Sequence, residues 1–452
     1  MPVEGAAPIE RVAQLVAHHV VGERPRCDWK VGTEHEKFGY RVPGWSPLRY
    51  RAADGGPGIR AVLDLLSERY LWEPHVDHVE VVALMSDDGS ITLEPGGQLE
   101  MSGAPVATIH ETEAELSRHV RRLQLLTDEL GVRWVWLGYQ PVHGLDQIGW
   151  MPKRRYRVMR DYLPTRGAMA HHMMKATCTV QANLDYSDEA DMGRKLRVAN
   201  GVASIVTAMF ANSPLRDNAP SGYKSFRARI WQDTDDDRAG LLPFVFDGEP
   251  PTYERYVEYA LDVPLFFIVR DQGYVNCAGL PFRQFLERGF EGHRATMEDW
   301  ELHLSTLFFE ARLKRYIEAR SADVVPPQYI SALPALWKGI LYEDGALDAC
   351  WDLVKRWTFA QRVQHRADVA KDALAARTPE GYATTELARE LMSIARHGLA
   401  RQAEDAGLRD ESIYLDRLAR LTVVGKSPAD EILDWWTARN PSPQQLLEHL
   451  AA

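Results

Sequence analysis

The stretch VEVVALMSDDGSITLEPGGQLEMSGAP, residues 79–105, is interrupted twice by residues that reverse a chain, Asp87-Asp88-Gly89 and Pro95-Gly96-Gly97. Between the breaks, aliphatic and β-branched residues alternate with polar ones, which reads as two or three short strands. Strands joined by so few residues pair antiparallel, because a parallel pair needs a crossover of a dozen residues or more. The chain is therefore committed to a β-meander and an antiparallel sheet.

Other segments extend that sheet. DWKVGTEHEKFGY near residue 34, VRWVWLGYQP after Gly131 and TCTVQANLDY at 177–186 alternate as strands, and RLKRYIEAR at 312–320 reads as one acidic strand. Helical spacing covers 8–21, IRAVLDLLSERY, and a long stretch opened by the Thr108/Glu111 capping pattern and closed near Gly131. It also covers DEADMGRKLRVANGVASIVTAMFANSP to about Asn212, a stretch from about Met297, and almost everything after Leu333. The expected class is α+β: a mostly antiparallel sheet covered by helices, over 1–330, and a helical C-terminal region over 331–452.

The chain has 452 residues, 45% of them hydrophobic, enough to bury a large core. A formal charge of −11 argues against a nucleic-acid partner. No apolar run approaches the ~20 residues of a membrane helix, and the opening MPVEGAAPIE has no signal-peptide character, so no membrane association and a cytoplasmic location are expected. Cys27, Cys178, Cys277 and Cys350 lie far apart, without zinc-ligand spacing or a disulfide framework.

In Gly32-Thr33-Glu34-His35-Glu36, the two-residue period of a strand puts Glu34 and Glu36 on one face and His35 on the other. Two like charges side by side repel unless a cation joins them, and a hard divalent ion suits oxygen ligands; the plain alternative is a solvated strand face. Glu318 and Arg320 share a face in the same way, which suits metal plus phosphate or a simple surface ion pair, and Glu94 and Glu100 flank the Pro-Gly-Gly turn. Five acids on one face would need more than one divalent ion, and clustered ions suit phosphoryl transfer. The chain has no phosphate-binding loop of the G-x-x-x-x-G-K-[ST] type.

Two further runs carry charge. Lys153, Arg154, Arg155, Arg157 and Arg160 form a basic run that would bind phosphate or carboxylate, or be a solvated face. FRARIWQDTDDDR, 226–238, reads as a loop-like recognition element; Asp233, Asp235 and Asp237 alternate like calcium ligands but lack the glycine and terminal glutamate of that loop.

GTEHEKFGY, ITLEPGGQLEMSGAP, MPKRRYRVMRDYLP, TCTVQANLDY, RARIWQDTDDDR and RLKRYIEARSAD, in that order, together resemble the plant and proteobacterial type of glutamate–cysteine ligase. The resemblance implies a glutamine-synthetase-like sheet carrying ATP and more than one magnesium ion, with glutamate, cysteine and ATP as small-molecule substrates. By motif position it implies metal binding by Glu34, Glu36, Glu94, Glu100 and Glu318, with Glu318 and Arg320 in the catalytic step. Arg320 and Arg238 fall to the ATP phosphates, and Arg227, Trp231, Gln181, Asn183, Arg155 and Arg160 to substrate. The chemistry implied is transfer of the ATP γ-phosphoryl group to the glutamate γ-carboxylate, followed by attack of the cysteine amine. Alternatives are a sister γ-glutamyl ligase with another amine, or a non-catalytic binding relative. A monomer and a homodimer both accommodate this reading. The plant thiol switch needs a cysteine pair, but no second cysteine lies close to Cys277, so activity insensitive to mild reductants is expected.

Overall fold

A computed structural model describes residues 7–270 and 273–451; the first six residues of MPVEGAAPIE lie outside the described residues. Among these, ten strands form one sheet: β1 (Val31–Arg41), β2 (Ser46–Pro47), β3 (Glu73–Asp77), β4 (Glu80–Ser86), β5 (Gly89–Leu93), β6 (Leu99–Gly103), β7 (Val132–Val135), β8 (Thr179–Leu184), β9 (Ala311–Leu313) and β10 (Ile317–Asp323). The order is β9-β10-β8-β1-β6-β5-β4-β3, with β2 and β7 paired to the far half of β1, and every pairing is antiparallel. The α+β class follows.

The two breaks in the meander become the β4–β5 and β5–β6 turns. Gly97 sits at φ +91°, and a Cβ on Gly96 would meet the Lys175 carbonyl oxygen at 2.1 Å, so the turn can press against the helix Ala170–Ala176 only as Gly-Gly. Thr108 and Glu111 cap the helix Ile109–Leu130, with the Thr108 amide donating to Glu111 Oε2 at 2.9 Å, and Gly131 follows at φ +62°.

Three expectations change. RLKRYIEAR is not one strand but the hairpin β9–β10, reversed at Lys314–Tyr316 where the Lys314 amide donates to the Tyr316 carbonyl at 2.8 Å; no glycine or proline marks that turn. FRARIW is not a loop but a helix, Phe226–Trp231, whose Ser225 cap accepts from the Ala228 amide at 3.1 Å. The helix expected to run to about Asn212 breaks at Val202 into Glu189–Gly201 and Ala203–Met209. The strand β3 lacks alternating apolar residues and is exposed, so periodicity did not mark it.

One face of the sheet is apolar, and the main core continues from it through Ala332–Leu341 and Thr384–Ala406 to Leu447 near the C-terminus. Fully buried histidines sit in or beside this core. Burial pushes His19 down to about 3, His303 to about 3 and His365 to about 4, so all three stay neutral when folded. Their unfolded counterparts take up protons below about 6.5. Stability is therefore complete above that pH and falls as the pH drops toward 4, by up to about 1.4 kcal/mol per pH unit for each histidine. Urea unfolding at pH 7.5, 6.0 and 5.0 should show this decline; a flat profile would mean the buried imidazoles charge in the native state.

Candidate active site

The register of the sheet assembles a charged face. Directly paired residues project to the same side. Gln181, Glu34 and Ser102 therefore form one row across β8, β1 and β6, and Glu36, Glu100 and Thr92 form the next across β1, β6 and β5. Glu94 lies two residues beyond Thr92, and Glu318 pairs with Asn183 on the β8 side. These rows floor a cavity of about 300 Å³ lined by all five expected acids, by Gln181, Arg155, Arg227, Trp231 and Arg320, and by Arg312 and Lys314.

Two electrostatic regimes share this cavity. Glu34, Glu36 and Glu100 have only neutral hydrogen-bond donors: Asn183 Nδ2 to Glu34 at 2.7 Å, the Thr179 amide to Glu36 at 2.9 Å, and Thr92 Oγ1 to Glu100 at 2.5 Å. Burial, then repulsion from Glu318 and Glu100, pushes the Glu34 carboxyl up to about 7. Glu36 is driven well above the usual range by burial and by Glu100 and Glu94, and Glu100 is raised by burial and Glu94. Glu318 behaves in the opposite way. Burial opposes its charge, yet Arg312, Lys314 and Arg320 pull it well below the usual carboxylate range. Arg312 Nε donates to its Oε2, Lys314 Nζ to Oε1 at 3.2 Å, and Arg320 to Oε2 at 3.1 Å.

Arg227 is 4% exposed on the first turn of its helix; it donates to the Arg320 carbonyl at 3.1 Å, and its nearest carboxylate, Asp323, is 3.9 Å away. Burial lowers its affinity for its own proton. The Arg155 Nε is buried without a partner. Trp231 and Phe308, with ring centroids 5.5 Å apart, close one wall.

Three expected residues stand elsewhere. Asn183 reaches Glu34 but lines an adjoining chamber of about 440 Å³ with Asp185 and Tyr316, which shares Glu34 with the main cavity. Arg160 lies over the Trp150 ring at 5.6 Å and contacts Asp161, outside the cavity lining. Arg238 is fully buried away from the cavity: it donates to Asp235 at 2.7 Å and to the Pro264 carbonyl at 2.7 Å, and lies 3.9 Å over the Phe266 ring. Its donors hold a loop together and are not offered to phosphate. Arg312 and Lys314 were missed because RLKRYIEAR, read as a single strand, does not place Arg312 opposite Glu318, as the hairpin does.

The set fits a magnesium ion chemically. Three carboxylates lacking a cationic partner, each raised in the absence of a cation, are donors short of positive charge. Among the described residues no group of three His, Cys, Asp or Glu closes around a single ion. That suits an ion bound by one or two carboxylates and completed by water and phosphate oxygens.

Comparisons with known proteins agree with this architecture. The model of the Glutamate-cysteine ligase family 2 (GCS2) matches residues 30–449. Glutamate–cysteine ligase B, chloroplastic, of Oryza sativa subsp. japonica is 41% identical over 441 residues, covering 96% of this chain and 86% of its own. The chloroplastic glutamate–cysteine ligase of Arabidopsis thaliana is 40% identical over 442 residues, covering 96% and 82%. In fold, a glutamate–cysteine ligase from Francisella tularensis solved in complex with AMP aligns at a TM-score of 0.56 with 12% identity, covering 94% of this chain and 87% of that one. A bifunctional glutathione synthetase from Pasteurella multocida aligns at 0.52 with 13% identity, over 94% and 52%.

The relatives correct one expectation. They are named chloroplastic, which overturns the cytoplasmic assignment as the expected one. That assignment tested only for an apolar secretory or membrane segment, whereas plastid transit peptides are amphipathic and acid-poor. Among the described residues no helix is long and apolar enough to cross a membrane.

Removing one partner of a buried ion pair strands the other charge. Glu318→Gln, which leaves the buried Arg312 without its carboxylate, should therefore cost about 3 kcal/mol of stability in urea unfolding, and adding Arg312→Met should restore part of it; equal losses in the single and double variants would mean the pair is electrostatically idle. Cys178, Cys277 and Cys350 are buried and all four cysteines are free thiols. Enzyme treated with mild oxidant or with dithiothreitol should show equal turnover, and a several-fold difference would reveal a thiol switch.

Proposed function

The chain belongs to the glutamate–cysteine ligase family, and from that premise we propose that it forms γ-glutamylcysteine from glutamate, cysteine and ATP, the first step of glutathione biosynthesis. One observation carries the assignment of roles: a single cavity sets uncompensated carboxylates, Glu34, Glu36 and Glu100, against the cations Arg312, Lys314 and Arg320. A nucleoside triphosphate with its metal ions needs both, anions to hold the metal and cations to hold the phosphates.

In this reading Glu34, Glu36, Glu94, Glu100 and Glu318 would hold more than one magnesium ion, with one or two carboxylates to each. Bound magnesium supplies neutralisation of charge on the transferring phosphoryl group. The chamber lined by Asn183, Asp185 and Tyr316 receives the nucleoside end of ATP, so that the phosphates enter past Glu34 toward Arg320. Arg227, desolvated and only distantly balanced by Asp323, binds the glutamate α-carboxylate with its fork of donors. Arg155 offers a second cation to a substrate carboxylate, and Gln181, which accepts a hydrogen bond from Arg320, keeps that guanidinium over the sheet.

The reaction then balances simply. An oxygen of the glutamate γ-carboxylate attacks the γ-phosphorus of ATP, and ADP leaves. The cysteine amine attacks the carbonyl carbon of the acyl phosphate, loses a proton, and expels phosphate. A carboxylate is a poor electrophile until its oxygen becomes such a leaving group, and walls such as Trp231, Phe267 and Phe308 keep water from the intermediate. Residues 1–330 carry this chemistry in our reading, and 331–452 support the sheet from behind.

ADP release should require glutamate, ATP, magnesium and cysteine together, and mass analysis should identify γ-glutamylcysteine. Turnover with a different amine alone would keep the acyl phosphate and change the acceptor, and no turnover with any amine would overturn the reading. Arg320→Gln should lower kcat about a hundredfold by removing a donor to developing charge. Arg227→Lys should mainly raise the KM for glutamate, because a point charge replaces a two-pronged contact.

A further inference from the structure

Asp323, the last residue of β10, is fully buried and stands on the active-site face of the sheet, although strict alternation from Glu318 would send it to the other face. Glu318 pairs with Asn183 and Asp323 with Thr179, so β10 takes five steps where β8 takes four. The extra residue is a bulge between Ala319 and Ala322. Paired residues project to one side, and the bulge therefore turns Asp323 to the side where Thr179 and Gln181 line the cavity.

There the carboxylate takes three donors. The Asn212 amide at 2.9 Å and Ser213 Oγ at 2.6 Å donate to Oδ2, and Ser225 Oγ donates to Oδ1 at 2.8 Å. Both serine oxygens accept in turn from the first turn of the helix Phe226–Trp231: Ser213 Oγ from the Arg227 amide at 3.1 Å, and Ser225 Oγ from the Ala228 amide at 3.1 Å. A hydroxyl whose proton goes to a carboxylate keeps its lone pairs for such amides, so Asp323 fixes the direction of both bonds. Two of the amides that open this helix, which no helical carbonyl can satisfy, are thereby tied to β10 through one carboxylate.

The same strand holds the other end of Arg227. Its guanidinium donates to the Arg320 carbonyl at 3.1 Å, with Asp323 Oδ1 3.9 Å from Nη1. Arg227 is thus fixed at its backbone by way of Asp323 and at its side chain by Arg320. The carboxylate cannot swing aside, since even a Cβ on Gly138 would meet Asp323 Cγ at 2.5 Å. Asp323, Ser213 and Ser225 are fully buried and none of them lines the cavity, so whatever Asp323 does for a bound molecule passes through Arg227.

We propose that Asp323 is a positioning residue for glutamate: through Ser213 and Ser225 it seats the helix that carries Arg227, and so sets the glutamate site without touching the substrate. The proposal rests on the assignment of Arg227 to the glutamate α-carboxylate. Asp323→Asn keeps the shape and one acceptor oxygen but turns an N–H toward a serine, whose own proton then loses its acceptor. Steady-state kinetics on the full chain, with magnesium and cysteine saturating, should show the KM for glutamate raised about tenfold in this variant, the size of one lost hydrogen bond to a charged group. The kcat and the KM for ATP should stay within about twofold, a split that general loosening of the fold would not produce. Ser225→Ala, which leaves the carboxylate its other two donors, should raise the KM for glutamate about threefold, and the double variant should fall short of the product of the two single effects. Circular dichroism checks each fold; should Asp323→Asn fail to fold, Ser225→Ala decides alone, and an unchanged KM there overturns the proposal. An unchanged KM in a folded Asp323→Asn, a loss shared equally by glutamate and ATP, or single effects that simply multiply would also overturn it. Wild-type protein that does not use glutamate overturns the functional reading and the proposal together, a result seen before any variant is made.

Discussion

Burying like charges beside one another is unfavourable unless an opposite charge joins them, and β1 commits this protein to that arrangement. It is the most heavily paired strand, bonded to β6 and β8 along its first half and to β2 and β7 along its second. Its alternation sends Glu34 and Glu36 to one side and His35 and Lys37 to the other, where both are buried. A one-residue slip against β6 or β8 would exchange these sets, placing carboxylates in the apolar core. The register that makes the site is thus the register that the core requires.

That coupling explains why so much was legible. Glu34, Glu36, Glu94 and Glu100 were found because strand alternation and a Pro-Gly-Gly turn are local signals, and the structure gathers all four at one cavity. What was not legible depends on chain reversals without punctuation. The turn at Lys314–Tyr316 contains neither glycine nor proline, so Arg312 could not be placed against Glu318 from spacing. Arg238 shows the complementary failure: in sequence it belongs to a charged run and pairs locally with Asp235, but its other partners, Pro264 and Thr306, are set by tertiary packing. Arginine is equally suited to phosphate and to backbone carbonyls, so residue type alone does not separate the two uses.

The helical C-terminal residues have a positional role that composition hides. Ala332–Leu341 packs on the apolar side of the sheet, and Lys338 donates to the Ala107 carbonyl at 2.9 Å while pairing with Glu411 at 2.7 Å. Such contacts hold the reverse face of the sheet rigid. A cavity that must keep several carboxylates within reach of one another, against their repulsion, needs that rigidity, because a compliant sheet would relax by letting the acids diverge.

The segregation of charge inside the cavity follows from the same reasoning. Its lining carries the acids Glu34, Glu36, Glu94, Glu100 and Glu318 and the cations Arg155, Arg227, Arg312, Lys314 and Arg320. Had these been paired one to one, each would be neutralised and the cavity would attract neither metal nor phosphate. Instead three cations converge on Glu318, driving it toward full ionisation, while Glu34, Glu36 and Glu100 are left without a counter-charge and are pushed toward protonation. The cavity is thereby polarised along the strands' pairing direction, positive at β9–β10 and negative over β1 and β6. A polyanion accompanied by cations lowers the energy of both ends at once, and neither component alone does so. On the proposed reading, binding of the two would be cooperative for that reason, and the direction of the polarity would fix which way round they lie.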